Sequence, residues 1–289
     1  MRKFVGAVVA LCLVTGAARA QAGSDSEEIV VTGQRLEEVV RSFVEEVTAP
    51  EMAEDQLARW NSRYCPMVTG IRARQAQYLI DRMSERALEM GLRPGEPNCR
   101  ANVLILFTQD ADGVAQSLAE ERAFMAFYNN SENGNSLGRA ALREFAASDA
   151  PVRWWHVAQT VTRDGDALSG GGETVRAHAS RLQRNTRQDF SRVVVVVDNQ
   201  QLAGIQLASL ADYLAMATLA QLDSNADTSQ FLTILNLFAQ REAGAPMTMA
   251  MTDWDRAYLT GLYEAPRNAQ DADSQRRAIS RTIEERLRE

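Results

Sequence analysis

Arg192 is followed by five consecutive valines, Val193 to Val197, and then by Asp198. Valine carries two heavy groups on Cβ, which suits the pleated extended chain and crowds a helix. A run of five has no polar face, so it fits only a central strand covered on both sides. Any fold for this chain must therefore supply neighbouring strands and two covering layers. Ala101 to Thr108 (ANVLILFT) is apolar on both faces and predicts a second buried strand. Val152 to Thr162 predicts a third, bounded by Asp164-Gly165.

The rest of the pattern is helical. Ala76, Leu79, Ile80, Met83, Ala87 and Met90 form one stripe in segment 71–90, with Gly91 where a terminating glycine belongs. Shorter helices are expected over 35–48, 112–128 and 137–147. Leu207 to Leu222 is apolar nearly all round, so it predicts a buried helix. Gln230 to Ala239 and Thr252 to Glu264 predict two more, the latter opened by a capping box of Thr252 and Asp255. Asp271 to Glu289 carries Ile279, Ile283 and Leu287 on one narrow stripe and is otherwise charged. The expectation is an α+β fold: a mixed sheet with packed helices and a helical C-terminal half. One domain spans 34–266, and 267–289 forms a charged helix on the surface or against a partner.

Met1-Arg2-Lys3, the uncharged apolar run Phe4 to Val14 and Ala18-Arg19-Ala20 have the order of a secretory signal peptide over 1–20. Residues 21–33 open small, polar and acidic and read as a flexible N-terminal segment. No later stretch approaches the ~20 apolar residues of a membrane helix. These signs place the chain in the periplasm or outside the cell. Without 1–20 the chain has 28 basic and 38 acidic residues, a net of about −10, which opposes nucleic-acid binding. Cys65 and Cys99 remain, an even pair expected to form a disulfide in an oxidising compartment. Closing a loop of that length stabilises by roughly 3–4 kcal/mol in the chain-entropy account. A catalytic thiol is the rival reading, but neither cysteine sits in a recognisable nucleophile context.

Two segments resemble known families. Glu28-Ile29-Val30-Val31-Thr32-Gly33-Gln34-Arg35 resembles the TonB box of TonB-dependent outer-membrane receptors. The resemblance implies that Ile29, Val30 and Val31 add an edge strand to TonB-like machinery; the alternative is a β-prone stretch docking on its own domain. The layout over 100–265, sheet first, then a buried helix, then further helices, resembles the zincin-like fold of secreted metallopeptidases. In that family the buried helix carries H-E-x-x-H, two histidines on zinc with a glutamate base. Here it reads Leu210-Ala-Asp-Tyr-Leu-Ala-Met-Ala-Thr-Leu-Ala220, with no histidine and no glutamate. The resemblance then implies a scaffold without its zinc catalyst, and no metal or cofactor is expected.

Other catalysts are excluded by composition. Of 31 basic residues only Lys3 is lysine, so beyond the leader there is no amine for a Walker A loop, a Schiff base or a Ser-Lys dyad. Ser169-Gly-Gly-Gly-Glu173 lacks the spacing and lysine of a phosphate loop and reads as a flexible hairpin tip. Ser180 with His178 and Asp198 has no nucleophile elbow. Asp212, the acid inside the apolar helix, needs either an arginine partner, with Arg181 and Arg192 as candidates, or a raised pKa and a general acid/base role. Asp198 ends the valine strand, as a turn cap or a ligand-facing acid. Alternation puts His156 on the face of Trp154 and sets Trp155 opposite. Two functions follow. The first is a non-catalytic envelope protein that binds a protein or peptide, with Trp154, Trp155 and Arg181 as binding residues. The second is a hydrolase using Asp212, Asp198 and His156.

Overall fold

The computed structural model describes residues 33–49, 56–121, 134–166 and 183–288. The valine run lies in β5 (Thr186–Asp198), the centre of a five-stranded mixed sheet. On one side β5 pairs in parallel with β2 (Val103–Thr108), which pairs in parallel with the edge strand β1 (Pro66–Thr69). On the other it pairs antiparallel with β4 (Val152–Thr162), flanked by the two-residue β3 (Gly134–Asn135). The sheet order is β1-β2-β5-β4-β3.

All five valines are fully buried. Side chains alternate along a strand, so Val193, Val195 and Val197 enter one core while Val194 and Val196 enter another. The smaller core is closed by α3 (Ala111–Glu120) and α4 (Gly138–Ala147). The larger is closed by α1 (Gly33–Val47), α2 (Ala73–Glu89), α5 (Leu207–Leu219), the short α6 (Leu237–Glu242), α7 (Asp253–Glu264) and α8 (Ala272–Arg288). The α+β architecture with a helical C-terminal half is as expected from the sequence. So are the α2 stripe ending at Gly91, with φ +74°, and the Thr252–Asp255 capping box of α7.

Some elements differ. The expected helix over 230–239 is a 3₁₀ turn, Ile234–Asn236, leading into α6. The Asn236 amide donates to the Thr228 and Phe231 carbonyls, and Thr233 Oγ1 accepts from Leu235 N, so local side chains claim groups a helix would use. The C-terminal segment does not stand apart. Ile279 and Ile283 of α8 are fully buried against α7 and α1. Gly261 permits that approach: a Cβ there would lie 2.6 Å from Ile279 Cα. The α8 stripe is therefore spent on the domain's own core and is closed to a partner.

The expected disulfide is present: Cys65 and Cys99 are joined, their Cα atoms 6.3 Å apart. It ties the entry of β1 to the loop before β2. Among the described residues no helix is long and apolar enough to cross a membrane. The leader, the segment Ile29-Val30-Val31, and His178, Ser180 and Arg181 lie outside the described residues.

Candidate functional site

On the antiparallel side of the sheet, β3 covers only part of the outer edge of β4 among the described residues. Asp198 N donates to Pro151 O at 2.9 Å, which fixes the phase of the β4–β5 ladder. Antiparallel pairs alternate between bonded and unbonded. Arg153, Trp155 and Val157 therefore bond to β5, while the main-chain N–H and C=O groups of Val152, Trp154 and His156 face away from it. β3 pairs only with Ala158 and Gln159. Among the described residues no strand covers Val152 to His156.

That edge floors a groove of about 340 Å³. One wall is α4, through Ala140, Ala141, Glu144 and Phe145; the other is the turn from Leu222 to Asn225. The candidate binding residues build this groove without offering free rings to it. Trp154 points into the larger core, its centroid 6.2 Å from Tyr213, and its Nε1 donates to Leu222 O at 3.2 Å, which pins the far wall. Trp155 packs on the opposite face against Phe145 at 6.1 Å, which seats α4. His156 is buried; its ring stacks on Phe190 at 5.1 Å, and Nε2–H donates to Ala217 O at 2.8 Å. Burial drives its pKa down to about 4, so at neutral pH it is an uncharged donor with that proton committed.

The charge of the groove follows from its neighbours. Arg153 lines it but is buried, and its guanidinium is ion-paired with Asp112. Glu144 and Asp223 leave negative charge on the rim. Compared with known families, curated proteins and solved structures, the chain has no match. The geometry alone therefore carries the functional reading.

The two candidate acids sit elsewhere. Asp212, fully buried on α5, meets two arginines of α2. Arg82 contributes Nε at 3.0 Å and Nη2 at 2.9 Å, and Arg86 contributes Nε at 2.9 Å and Nη2 at 3.2 Å. Met251 N adds a fifth donor at 3.0 Å. Burial alone would raise this carboxyl; the hydrogen bonds from Arg86, Arg82 and Met251 outweigh it and hold the pKa below the carboxylate range. Its arginines are thus Arg82 and Arg86 in place of Arg181 or Arg192, because the two α2 positions are one helical turn apart and face α5 together. Asp198 caps the 3₁₀ turn Asn199–Gln201, accepting from Gln200 N at 2.8 Å and Gln201 Nε2 at 3.0 Å.

His156 stands opposite Val193, five residues and roughly 17 Å along the strand from Asp198. Asp212, Asp198 and His156 therefore share no cleft, and the arrangement a hydrolase needs is not assembled from them. Among the described residues no three His, Cys, Asp or Glu side chains gather as a metal centre requires. Sequence reasoning missed the groove's walls and its two rim acids. Its floor was legible in part, since alternation placed Trp154 and His156 on one face; what α4 and Leu222–Asn225 do depends on tertiary packing.

Proposed function

We propose that the chain is a non-catalytic binding module of the cell envelope that takes an extended basic peptide as an added strand along β4. The observation that carries this is the outward main-chain edge of Val152, Trp154 and His156 at the bottom of a walled groove. Such an edge offers donors and acceptors at strand spacing, and main-chain pairing supplies affinity while flanking pockets supply selectivity. From Val152 to His156 the edge accommodates about five peptide residues, or roughly 17 Å. The rim acids Glu144 and Asp223 favour arginine or lysine at alternate positions.

The envelope location is supported by the signal-peptide pattern at 1–20 and by the disulfide. The zincin-like resemblance belongs to the same proposal: α5 follows β5, is buried on the sheet and carries neither histidine nor glutamate. Engagement of TonB-like machinery by residues 28–35 is a separate part of it, tested by deleting that segment and assaying pull-down.

Titration with extended peptides of five to seven residues, read by calorimetry, tests the groove. Basic peptides should bind more tightly than acidic ones of the same length. N-methylation at the positions that pair with the strand should cost about tenfold each, the effect of one buried hydrogen bond left unmade. Equal affinity for methylated and unmethylated peptides would overturn strand addition.

A further inference from the structure

The strongest unassigned feature is a second cleft, of about 470 Å³, at the other end of the molecule. It lies between the segment leading into β1, the end of α2 and the end of α7. Four arginines line it, Arg59, Arg63, Arg93 and Arg267, and no acid does. This is unusual ground in a chain with 38 acidic and 31 basic residues.

Arg59 is the centre of it. Its residue is only 2 % exposed, held where Arg59 N donates to Gln188 O and Phe190 N donates to Arg59 O beside β5. Nη1 donates to Leu262 O, one of the last carbonyls of α7. Nη2 is buried and has no hydrogen-bond partner. The nearby carboxylate of Asp189 is already taken by Arg187, Nε at 2.9 Å and Nη2 at 3.1 Å, and by Asn61 Nδ2 at 2.6 Å. Burial, above all, brings the Arg59 pKa down to about 10; Tyr263 and Asp189 oppose this, while Arg267 and Arg187 push it down further. The group is still a cation at neutral pH.

A purely structural account explains only part of this. Arginines do cap helix C-termini, and the ends of α2 and α7 supply about half a negative charge each. Together with the nearby Asp189 carboxylate and the Arg63–Glu96 pair, that offsets the four guanidiniums only in part, and a buried guanidinium N–H pair without an acceptor costs free energy. Of the other three, Arg93 and Arg267 are exposed, and Arg63 makes an exposed ion pair with Glu96 at 3.7 Å and a long hydrogen bond to Pro94 O at 3.4 Å. An oxyanion in the cleft would answer the surrounding positive charge, with the Arg59 guanidinium beneath it.

We propose that this cleft binds a small organic anion carrying at least two negative charges, a phosphate ester or a polycarboxylate, with the buried charge of Arg59 beneath its base and Arg93 and Arg267 at its mouth. Inorganic phosphate, pyrophosphate and citrate are the probes, titrated calorimetrically into the full chain against sodium chloride at matched ionic strength. Saturable one-site binding is expected, and the better of pyrophosphate and citrate identifies the phosphate or carboxylate source. Arg93→Gln and Arg267→Gln, both at exposed positions, should each weaken it about tenfold, one charge-assisted contact apiece. Arg59→Met should abolish it; if that variant does not fold, the two surface variants decide. Peptide binding at the β4 groove should be unchanged in all of them. Absence of saturable binding by all three anions, or affinity unchanged in both surface variants, would overturn the proposal.

Discussion

Arg86 and Arg59 are both buried arginines, and their surroundings are opposite. Arg86 meets Asp212 with two of its nitrogens and Glu89 with a third, and shares Asp212 with Arg82. Burial by itself would lower its pKa, yet the Asp212 hydrogen bond and the two carboxylates raise it. Arg59 has no such carboxylate, and burial takes its pKa down. Depth in the molecule is therefore not what separates a structural charge from a receptive one. The separating quantity is whether the fold itself has filled the donor's hydrogen-bonding capacity. The α2–α5 network is complete and closed; the cleft at α7 is incomplete and open.

The largest expected effect tests the closed side. Asp212→Ala strands two guanidiniums and the Met251 N–H, and should cost about 3–5 kcal/mol in urea unfolding. Arg59→Met should cost no more than about 1 kcal/mol, because it removes an unpaired buried charge together with one carbonyl contact. Equal losses would erase the distinction between the two regions.

Next in size is the disulfide. Replacing Cys65 and Cys99 together by serine should lower stability by roughly 3–4 kcal/mol. The bond ties the segment carrying Arg59 and Arg63 to the one carrying Arg93, which also meet through Tyr64 N donating to Arg93 O. The same variant should therefore loosen anion binding while leaving the Asp212 network intact. Unchanged anion affinity would show that the open cleft needs no covalent support.

A pH series separates the buried groups further. The folded pKa of His156, about 4, lies below its ordinary 6.5, so the folded chain holds fewer protons than the unfolded one in between. Its contribution is whole above pH 6.5 and falls as pH drops toward 4, by roughly 3 kcal/mol at about 1.4 kcal/mol per pH unit. Asp212 is depressed below 3.8, so its contribution persists above that value and is lost as pH falls through its folded pKa. His156→Gln should flatten the upper window and leave the lower one. A profile unchanged by that substitution would remove His156 as the cause.

The smallest stability effect belongs to the groove. Ala140→Arg, on the exposed side of α4, should change stability by under about 0.5 kcal/mol. It should nevertheless block a basic peptide by volume and charge. Peptide binding that survives it would move the site off the α4 wall.

Much of this frame is written locally in the chain. Five valines demand a central strand, a stripe ending at Gly91 demands α2, and Thr252 with Asp255 opens α7. What is not local was not legible. β1 (PMVT) is four residues with a proline and a single buried side chain, Val68, so its strand state comes from pairing with β2. The partners of Asp212 lie about 130 positions away, on a helix whose arginines look like ordinary surface charge until α5 packs against them. Arg59 sits in a polar stretch with no periodic signal. It becomes distinctive only because β5 and α7 close over it and leave one nitrogen unmatched.

The meeting of α1 with α7 and α8 has a consequence for the order of folding. Phe43 packs edge-on against Trp254 at 5.2 Å and Tyr258 at 6.1 Å, and Thr48 shares a hydrogen bond with Tyr258, 210 residues later. A chain that emerges N-terminus first carries Val40, Phe43, Val44 and Val47 without these partners until its last quarter arrives, first Gln221 to Phe231 and then α7 and α8. Contacts of such long sequence separation make folding slow and leave the early segment sticky in the meantime. The first described helix is thus among the last to be settled, and a chaperone that shields it would shorten the vulnerable interval more than one acting on the valine strand.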